Sequence, residues 1–148
     1  MSIKYKVKEF NQLTIEELYE ILRLRSEIFV VEQNCIYQDV DNKDQKALHI
    51  LGLKKGKIIA YARIFKPKDY FKYASIGRIV IHPKERNNKY GYSLVESAIL
   101  AINIHFKQDT IAISAQEHLE KFYNNLKFER EGNSYLEDGI SHIYMIKA

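Results

Sequence analysis

The segment from Ile76 to Ile102 constrains this chain most. Ala74-Ser-Ile-Gly-Arg-Ile-Val-Ile81 is a short, mostly apolar run halted by His82-Pro83. Such a run reads as a largely buried strand. A polar loop, Lys84 to Tyr90, leads to Gly91, after which Leu94, Val95, Ala98, Ile99 and Ile102 recur at helical spacing. A buried strand followed by an apolar-faced helix commits the chain to a sheet covered by helices. A helix that starts at a Gly, after a loop holding Lys84, Arg86 and Lys89, also presents unpaired backbone N–H groups and the positive end of its dipole. That combination suits a phosphate or pyrophosphate. Neither Gly-Lys-Ser/Thr nor Gly-x-Gly-x-x-Gly occurs, so by physics alone a basic solvated loop with a close-packed Gly is an equal reading.

The remaining segments fill in the layers. Ile3, Tyr5 and Val7 alternate with lysines, as in a strand with one wet face. Thr14 and Glu17 form a capping-box pattern, with Leu13 and Leu18 placed as a hydrophobic staple. Leu18, Ile21, Leu22, Ile28 and Phe29 then share one helical face. The pattern dissolves from Glu32 into a polar loop through Asp44. Ala47–Leu53 and Lys57–Phe65 read as an antiparallel hairpin turning at Lys55-Gly56. Thr110–Ala115 reads as a strand, and Glu117–Leu126 as a third helix with Leu119, Phe122, Tyr123 and Leu126 on one side. Two last strands flank Glu137-Asp138-Gly139, whose Asp-Gly step suits a tight turn. The expected fold is a mixed sheet flanked by helices, of α/β or α+β class, in one domain over residues 1–148.

Composition enters by exclusion. Cys35 is the one cysteine, so no intrachain disulfide forms and a cytoplasmic location is expected. The most apolar stretch, Ser97 to Ile104, is far shorter than the roughly 20 residues a bilayer requires, so no membrane partner is expected. The charged N-terminus lacks the apolar centre of a signal peptide. A net charge of +4 permits an anionic partner and decides nothing more.

Among groups able to move a proton, Glu32, His49, His118, Glu137 and His142 are the candidates for a general base. Arg63 and Arg78 fall on adjacent central strands; each reads either as the partner of a buried carboxylate or as a group that orients an acidic acceptor. Asp39-Val-Asp-Asn-Lys-Asp44 is not a calcium loop, since Lys43 takes a ligand position and Asp44 stands where Gly is required. The histidines have no zinc spacing, so no metal is expected.

Ile81-His-Pro83 with Arg86-Asn-Asn-Lys-Tyr-Gly91 resembles the acetyl-CoA loop of the GNAT acetyltransferases, Gln/Arg-x-x-Gly-x-Gly/Ala; Lys89 stands at the middle Gly. Phe29-Val-Val-Glu-Gln-Asn-Cys35, His49-Ile-Leu-Gly52, Ala60-Tyr-Ala-Arg63, Ile76-Gly-Arg78, Ala115-Gln116, Phe122-Tyr123 and Glu137-Asp-Gly-Ile140 are similar to the ElaA-like branch of that superfamily. The resemblance implies the GNAT fold and an N-acetyltransferase using acetyl-CoA as co-substrate. The backbone of Ile79, Val80 and Ile81 would pair with the pantetheine arm. The N–H groups of Arg86, Asn87, Asn88, Lys89, Tyr90 and Gly91 would hold the pyrophosphate, with Tyr92 beside them. The strand at Ser114-Ala115-Gln116 would splay from its neighbour to admit the thioester. Tyr123 matches the general acid of the family's Phe-Tyr-x-x-x-Gly-Phe segment, although Lys127 replaces its Gly. His118, at the start of the third helix, is its expected catalytic companion.

Two functions follow as expectations. The first is a cytoplasmic N-acetyltransferase acting on a small-molecule or peptide amine, with no nucleic-acid partner and a homodimer plausible for the class. The alternative is a non-catalytic basic α/β module contacting RNA or protein through stretches such as Lys66 to Tyr73.

Overall fold

Thr14 starts the first helix as its sequence dictates. Its hydroxyl accepts from the Glu17 N–H and the Glu17 carboxylate accepts from the Thr14 N–H, closing the capping box. The computed structural model describes residues 2–148. In chain order the elements are β1 (Lys4–Glu9), α1 (Ile15–Arg25), β2 (Leu48–Lys54), β3 (Lys57–Phe65), β4 (Ala74–Ile81), α2 (Tyr90–Phe106), β5 (Ile111–Gln116), α3 (Glu120–Asn124), β6 (Glu129–Glu137) and β7 (Ile140–Lys147). The strands form one seven-stranded sheet, ordered β1-β2-β3-β4-β5-β7-β6. Among the described residues β4 and β5 are the one parallel pair, and α2 makes the crossover between them.

Strand alternation divides the core in two. Ala60, Ala62 and Ile64 of β3 meet Leu94, Val95, Ala98 and Ile102 of α2 on one face. Tyr61 of the same strand meets Ile21, Leu24 and Ile28 on the other. Among the described residues, no helix is long and apolar enough to cross a membrane.

Three helical expectations need correction. The first helix does not run regularly to Phe29: after Arg25 it widens into a π-helical segment, Ser26–Glu32. Such widened turns recur at functional sites, and this one carries Ile28, Phe29 and Glu32 onto a cavity wall. The third helix is only Glu120–Asn124, preceded by a 3₁₀ turn at Glu117–Leu119. The polar loop before Gly91 is itself a 3₁₀ helix, Pro83–Asn88, with proline at its start, where a missing N–H costs nothing. The Glu137-Asp-Gly-Ile hairpin turns as expected, with Asp138 and Gly139 at φ +52° and +79°, the left-handed pair of a tight primed turn.

Candidate active site

The site begins with a defect in β4. Tyr61 pairs with Val80 and Arg63 with Gly77, so β4 carries one residue more than β3 across this interval. The bulge holds Arg78 at φ +50° and swings its side chain to the face opposite Ile76. There its guanidinium pairs with Asp39 at 2.7 Å. On its other edge β4 pairs with β5 only at Ala74–Ile111 and Ser75–Ala112. Beyond Ser75 the two strands part, as expected for the Ser114–Gln116 strand. A cavity of about 520 Å³ lies across the parting, lined from both faces of the sheet.

At one end of the cavity stands the N-terminus of α2. No side chain caps it and its first turn carries no acidic residue, so its N–H groups are available to an anion. Gly91 allows α3 to approach: a Cβ there would lie 3.3 Å from the Phe122 ring. Lys89 stands at φ +59°, and Lys127, at the second missing glycine, at φ +74°. The chain therefore keeps both glycine conformations without the glycines. A left-handed L-residue costs about 1–2 kcal/mol, and glycine returns part of that as unfolded-state entropy. Lys89→Gly and Lys127→Gly are each expected to stabilise the fold by about 0.5–1 kcal/mol, read as a higher urea midpoint at constant m-value.

Of the residues expected at the cofactor, Ile79, Val80, Ile81, Arg86, Gly91, Gln116 and Tyr123 line the cavity. Asn87, Asn88, Lys89, Tyr90 and Tyr92 do not. Tyr92 packs on Phe122 at 4.6 Å between ring centres, and its hydroxyl accepts from Asn125. Tyr90 lies beneath the Lys54 ammonium, and Asn88 donates to Glu85. Arg86 is held by both carboxylate oxygens of Glu32, at 2.6 and 3.0 Å, so a phosphate that binds Arg86 must compete with Glu32.

Tyr123 lies in the wall with 5% of its surface exposed, its ring edge-on to Phe122 and Phe128. Its hydroxyl has no hydrogen-bond partner among the described residues, and burial raises its pKa, so it stays protonated at neutral pH. His118 lines the mouth but is exposed and likewise unpartnered. The other proton-transfer candidates separate cleanly. Glu32 is engaged by Arg86. His49 is buried; its Nε2–H donates to the Asp44 carbonyl and its Nδ1 accepts from Tyr61. Burial lowers the His49 pKa, which keeps the ring neutral, and it is not on the cavity wall. His142 is on that wall, 7% exposed, and donates Nδ1–H to the Ile140 carbonyl at 2.7 Å. A carbonyl can only accept, so in the neutral ring Nε2 keeps its lone pair. It lies 3.6 Å from the Glu137 carboxylate.

The alternative readings of Arg63 and Arg78 resolve toward ion pairing. Arg63 binds both oxygens of Asp41 and one of Asp44, and Arg78 binds Asp39. Arg25, which periodicity does not single out, is fully buried and bridges Asp39 and Asp44. The three aspartates of the failed calcium pattern are thus the counter-charges of three arginines. Burial alone would raise Asp41, yet Arg63 outweighs it and holds the carboxyl at about 2. The network pins the 39–44 loop against the sheet, and the Cys35 thiol, donating to the Asp138 carbonyl, ties the segment that precedes this loop to the final hairpin.

The chain matches known proteins over nearly its whole length. The family profile described as an acetyltransferase (GNAT) domain matches residues 11–148. Protein ElaA of Escherichia coli is 37% identical over 147 residues, covering 98% of this chain and 96% of ElaA. Its crystal structure superposes with TM-score 0.91 over 99% of both chains. An acyl-CoA N-acyltransferase from Pseudomonas aeruginosa superposes with TM-score 0.92 at 36% identity, over 99% of this chain and 100% of that one. A GNAT acetyltransferase from Elizabethkingia anophelis, solved with acetyl-CoA bound, shares the fold at 14% identity and TM-score 0.67, over 99% and 97% of the two chains. A strand bulge beside a parallel pair that parts, an uncapped helix start at the opening, and relatives of this kind together show that the chain belongs to the GNAT acetyltransferase family, on the branch that contains ElaA.

Proposed function

We propose that the protein is an acetyl-CoA-dependent N-acetyltransferase that moves the acetyl group directly to an amine of a small molecule or peptide. The family and fold support an acyl-CoA N-acyltransferase; the acetyl donor is the reading added here, in keeping with the acetyl-CoA bound by the Elizabethkingia protein. The observation that carries it is the cavity across the parting of β4 from β5. It brings the uncapped start of α2, the unpaired edge of β4, Tyr123 and His142 to one space.

Each group has a task in direct transfer. Beyond Ser75 the β5-side backbone of β4 lacks a sheet partner, so Ile79, Val80 and Ile81 can hydrogen-bond an extended pantetheine arm. The start of α2, with Arg86, receives the pyrophosphate. The amine gives a proton to Nε2 of His142 as its nitrogen attacks the acetyl carbonyl. The C–S bond then breaks, and the departing thiolate takes its proton from the Tyr123 hydroxyl. His142 is preferred over the expected His118 because a hydrogen bond to the Ile140 carbonyl holds its ring and tautomer, whereas His118 is exposed and has no such partner among the described residues.

Isothermal titration of acetyl-CoA is expected to give micromolar binding, and amines should release free thiol in its presence. Absence of binding would remove the assignment.

A further inference from the structure

The acetyl-accepting half of the cavity occupies the sheet face that carries Arg63, Phe65, Ser75 and Ser114. Phe65 pairs with Ser75 and Ser75 with Ala112, so alternation puts all of these on one side, opposite α2. Two features of this face leave charge or hydrogen-bonding capacity unfilled among the described residues.

The first is charge. The cavity wall has three cationic arginines, and each is matched: Arg63 by Asp41 and Asp44, Arg78 by Asp39, Arg86 by Glu32. Glu137 and Asp138 on the same wall are not matched. The Glu137 carboxylate accepts from the Ser114 hydroxyl at 3.1 Å and faces His142, and no Lys or Arg nitrogen lies within 4.0 Å of either carboxylate among the described residues. An unpaired carboxylate on a partly enclosed wall favours a cation.

The second is a set of orphaned polar atoms. Among the described residues the Ser75 hydroxyl, Arg63 Nε and Arg78 Nε are buried without a hydrogen-bond partner; Arg78 Nε still faces the Asp39 carboxylate at 2.7 Å, and the other two belong to residues only 1% exposed that both line the cavity. Leaving such groups unsatisfied is costly, so a ligand oxygen able to accept from both is the missing partner. The electrostatics around them select its charge. Arg25, Arg63 and Arg78 balance Asp39, Asp41 and Asp44, so the network is neutral as it stands. A carboxylate or second ammonium placed there would be a buried charge with no counter-charge. Phe65 and Tyr70, stacked at 5.2 Å, flank the Arg63 guanidinium and supply an apolar side.

Resting on the acetyltransferase reading, we infer that the acceptor is a monocationic primary amine whose far end carries a neutral carbonyl or hydroxyl oxygen. The ammonium pairs with Glu137 and releases its extra proton to solvent before the neutral nitrogen attacks, and the oxygen accepts from Ser75 and Arg63 Nε. Ser114, which donates to Glu137, lies two residues along β5 from the partner of Ser75 and beyond the point where the strands part, so the backbone positions carrying the two ends are at least about 8 Å apart, on the order of six bonds of an alkyl chain. Aminoalkyl amides and amino alcohols of that length belong to this class.

Direct calorimetric binding of four amines of matched length to the protein tests it without requiring turnover. Aminohexanamide is expected to bind about fivefold to tenfold more tightly than hexylamine, the effect of one or two hydrogen bonds to otherwise unsatisfied groups. Aminohexanoate and hexanediamine should bind more weakly than the amide. The amide-to-hexylamine ratio should fall to near one in Ser75→Ala, and all four ligands should weaken in Glu137→Gln. Equal affinities for the amide and hexylamine, or a ratio unchanged by Ser75→Ala, would overturn the inference. Acetyl-CoA titration is read separately. Donor binding without amine selectivity leaves the enzymatic reading standing and removes this one; selectivity without donor binding leaves an amine site of this chemistry but removes the acetyltransferase reading, and with it the amine's role as acceptor.

Discussion

Tyr123→Phe is expected to lower kcat by roughly 10²- to 10⁴-fold, the usual worth of a positioned proton donor. KM for acetyl-CoA should change far less, because the ring and its contacts with Phe122 and Phe128 remain. Stability should hold too: the lost hydroxyl has no hydrogen-bond partner among the described residues, so no contact within the fold is broken. Its burial keeps it protonated, which suits a group that must carry a proton to a departing thiolate. His142→Gln makes the complementary case. Gln retains a polar group but cannot take the proton, so kcat should fall by roughly 10²-fold or more. His118→Gln should leave kcat nearly unchanged. Steady-state thiol release separates the three variants. An unchanged kcat in Tyr123→Phe removes it from the reaction, and a large loss in His118→Gln with none in His142→Gln returns the proton to His118.

Arg25→Ala should destabilise the fold by about 3–5 kcal/mol, a large share of the 5–15 kcal/mol that a domain of this kind possesses. The guanidinium is fully buried between Asp39 and Asp44 and also donates to the Asp39 carbonyl. Its removal leaves buried carboxylates with fewer counter-charges. Arg23, two residues earlier and exposed, pairs among the described residues with Glu20 of α1 and Glu27 of the π-helical turn that follows; Arg23→Ala should cost about 0.5 kcal/mol or less. Urea denaturation of the two variants reads the difference. The same network sets an acid limit. Burial would raise Asp44, but Arg25 and Arg63 outweigh it, and Asp41 is held at about 2. Both folded-state values lie below the unfolded value near 4. Their contribution is therefore complete above about pH 4 and is lost as pH falls toward 2. Raising pH from 5 to 7 should leave it unchanged.

The arginine network also shows why periodicity falls short. Spacing places Ile21 and Ile28 on the buried face correctly, and Arg25 lies between them on the same face. An arginine in a helix reads as solvated because nothing local neutralises it; its partners are 14 and 19 residues away. The aspartates at 39, 41 and 44 are a visible cluster, and Arg63 and Arg78 are visible cations on adjacent strands. Their pairing depends on a loop path that no local pattern encodes. The bulge in β4 is hidden for a similar reason. Ile76-Gly-Arg78 contains a permissive residue, yet it is Arg78, not Gly77, that takes the positive φ.

Local physics in the sequence determined the elements and their order: the Thr14 cap, the Asp-Gly turn, the two-residue period of the strands and the apolar face of α2. These depend on contacts within a few residues, so they can be read directly. The family resemblance pointed to the loop before Gly91 and to Tyr123, and the structure carries left-handed lysines where that pattern has glycines. Tertiary structure alone decided what surrounds each charge. It gave Arg86 to Glu32, Arg63 to Asp41 and Asp44, and left Glu137, Ser75 and Arg63 Nε with unfilled capacity. A side chain's protonation, partner and availability follow from burial and from neighbours brought in by other strands, and those are properties of the folded chain.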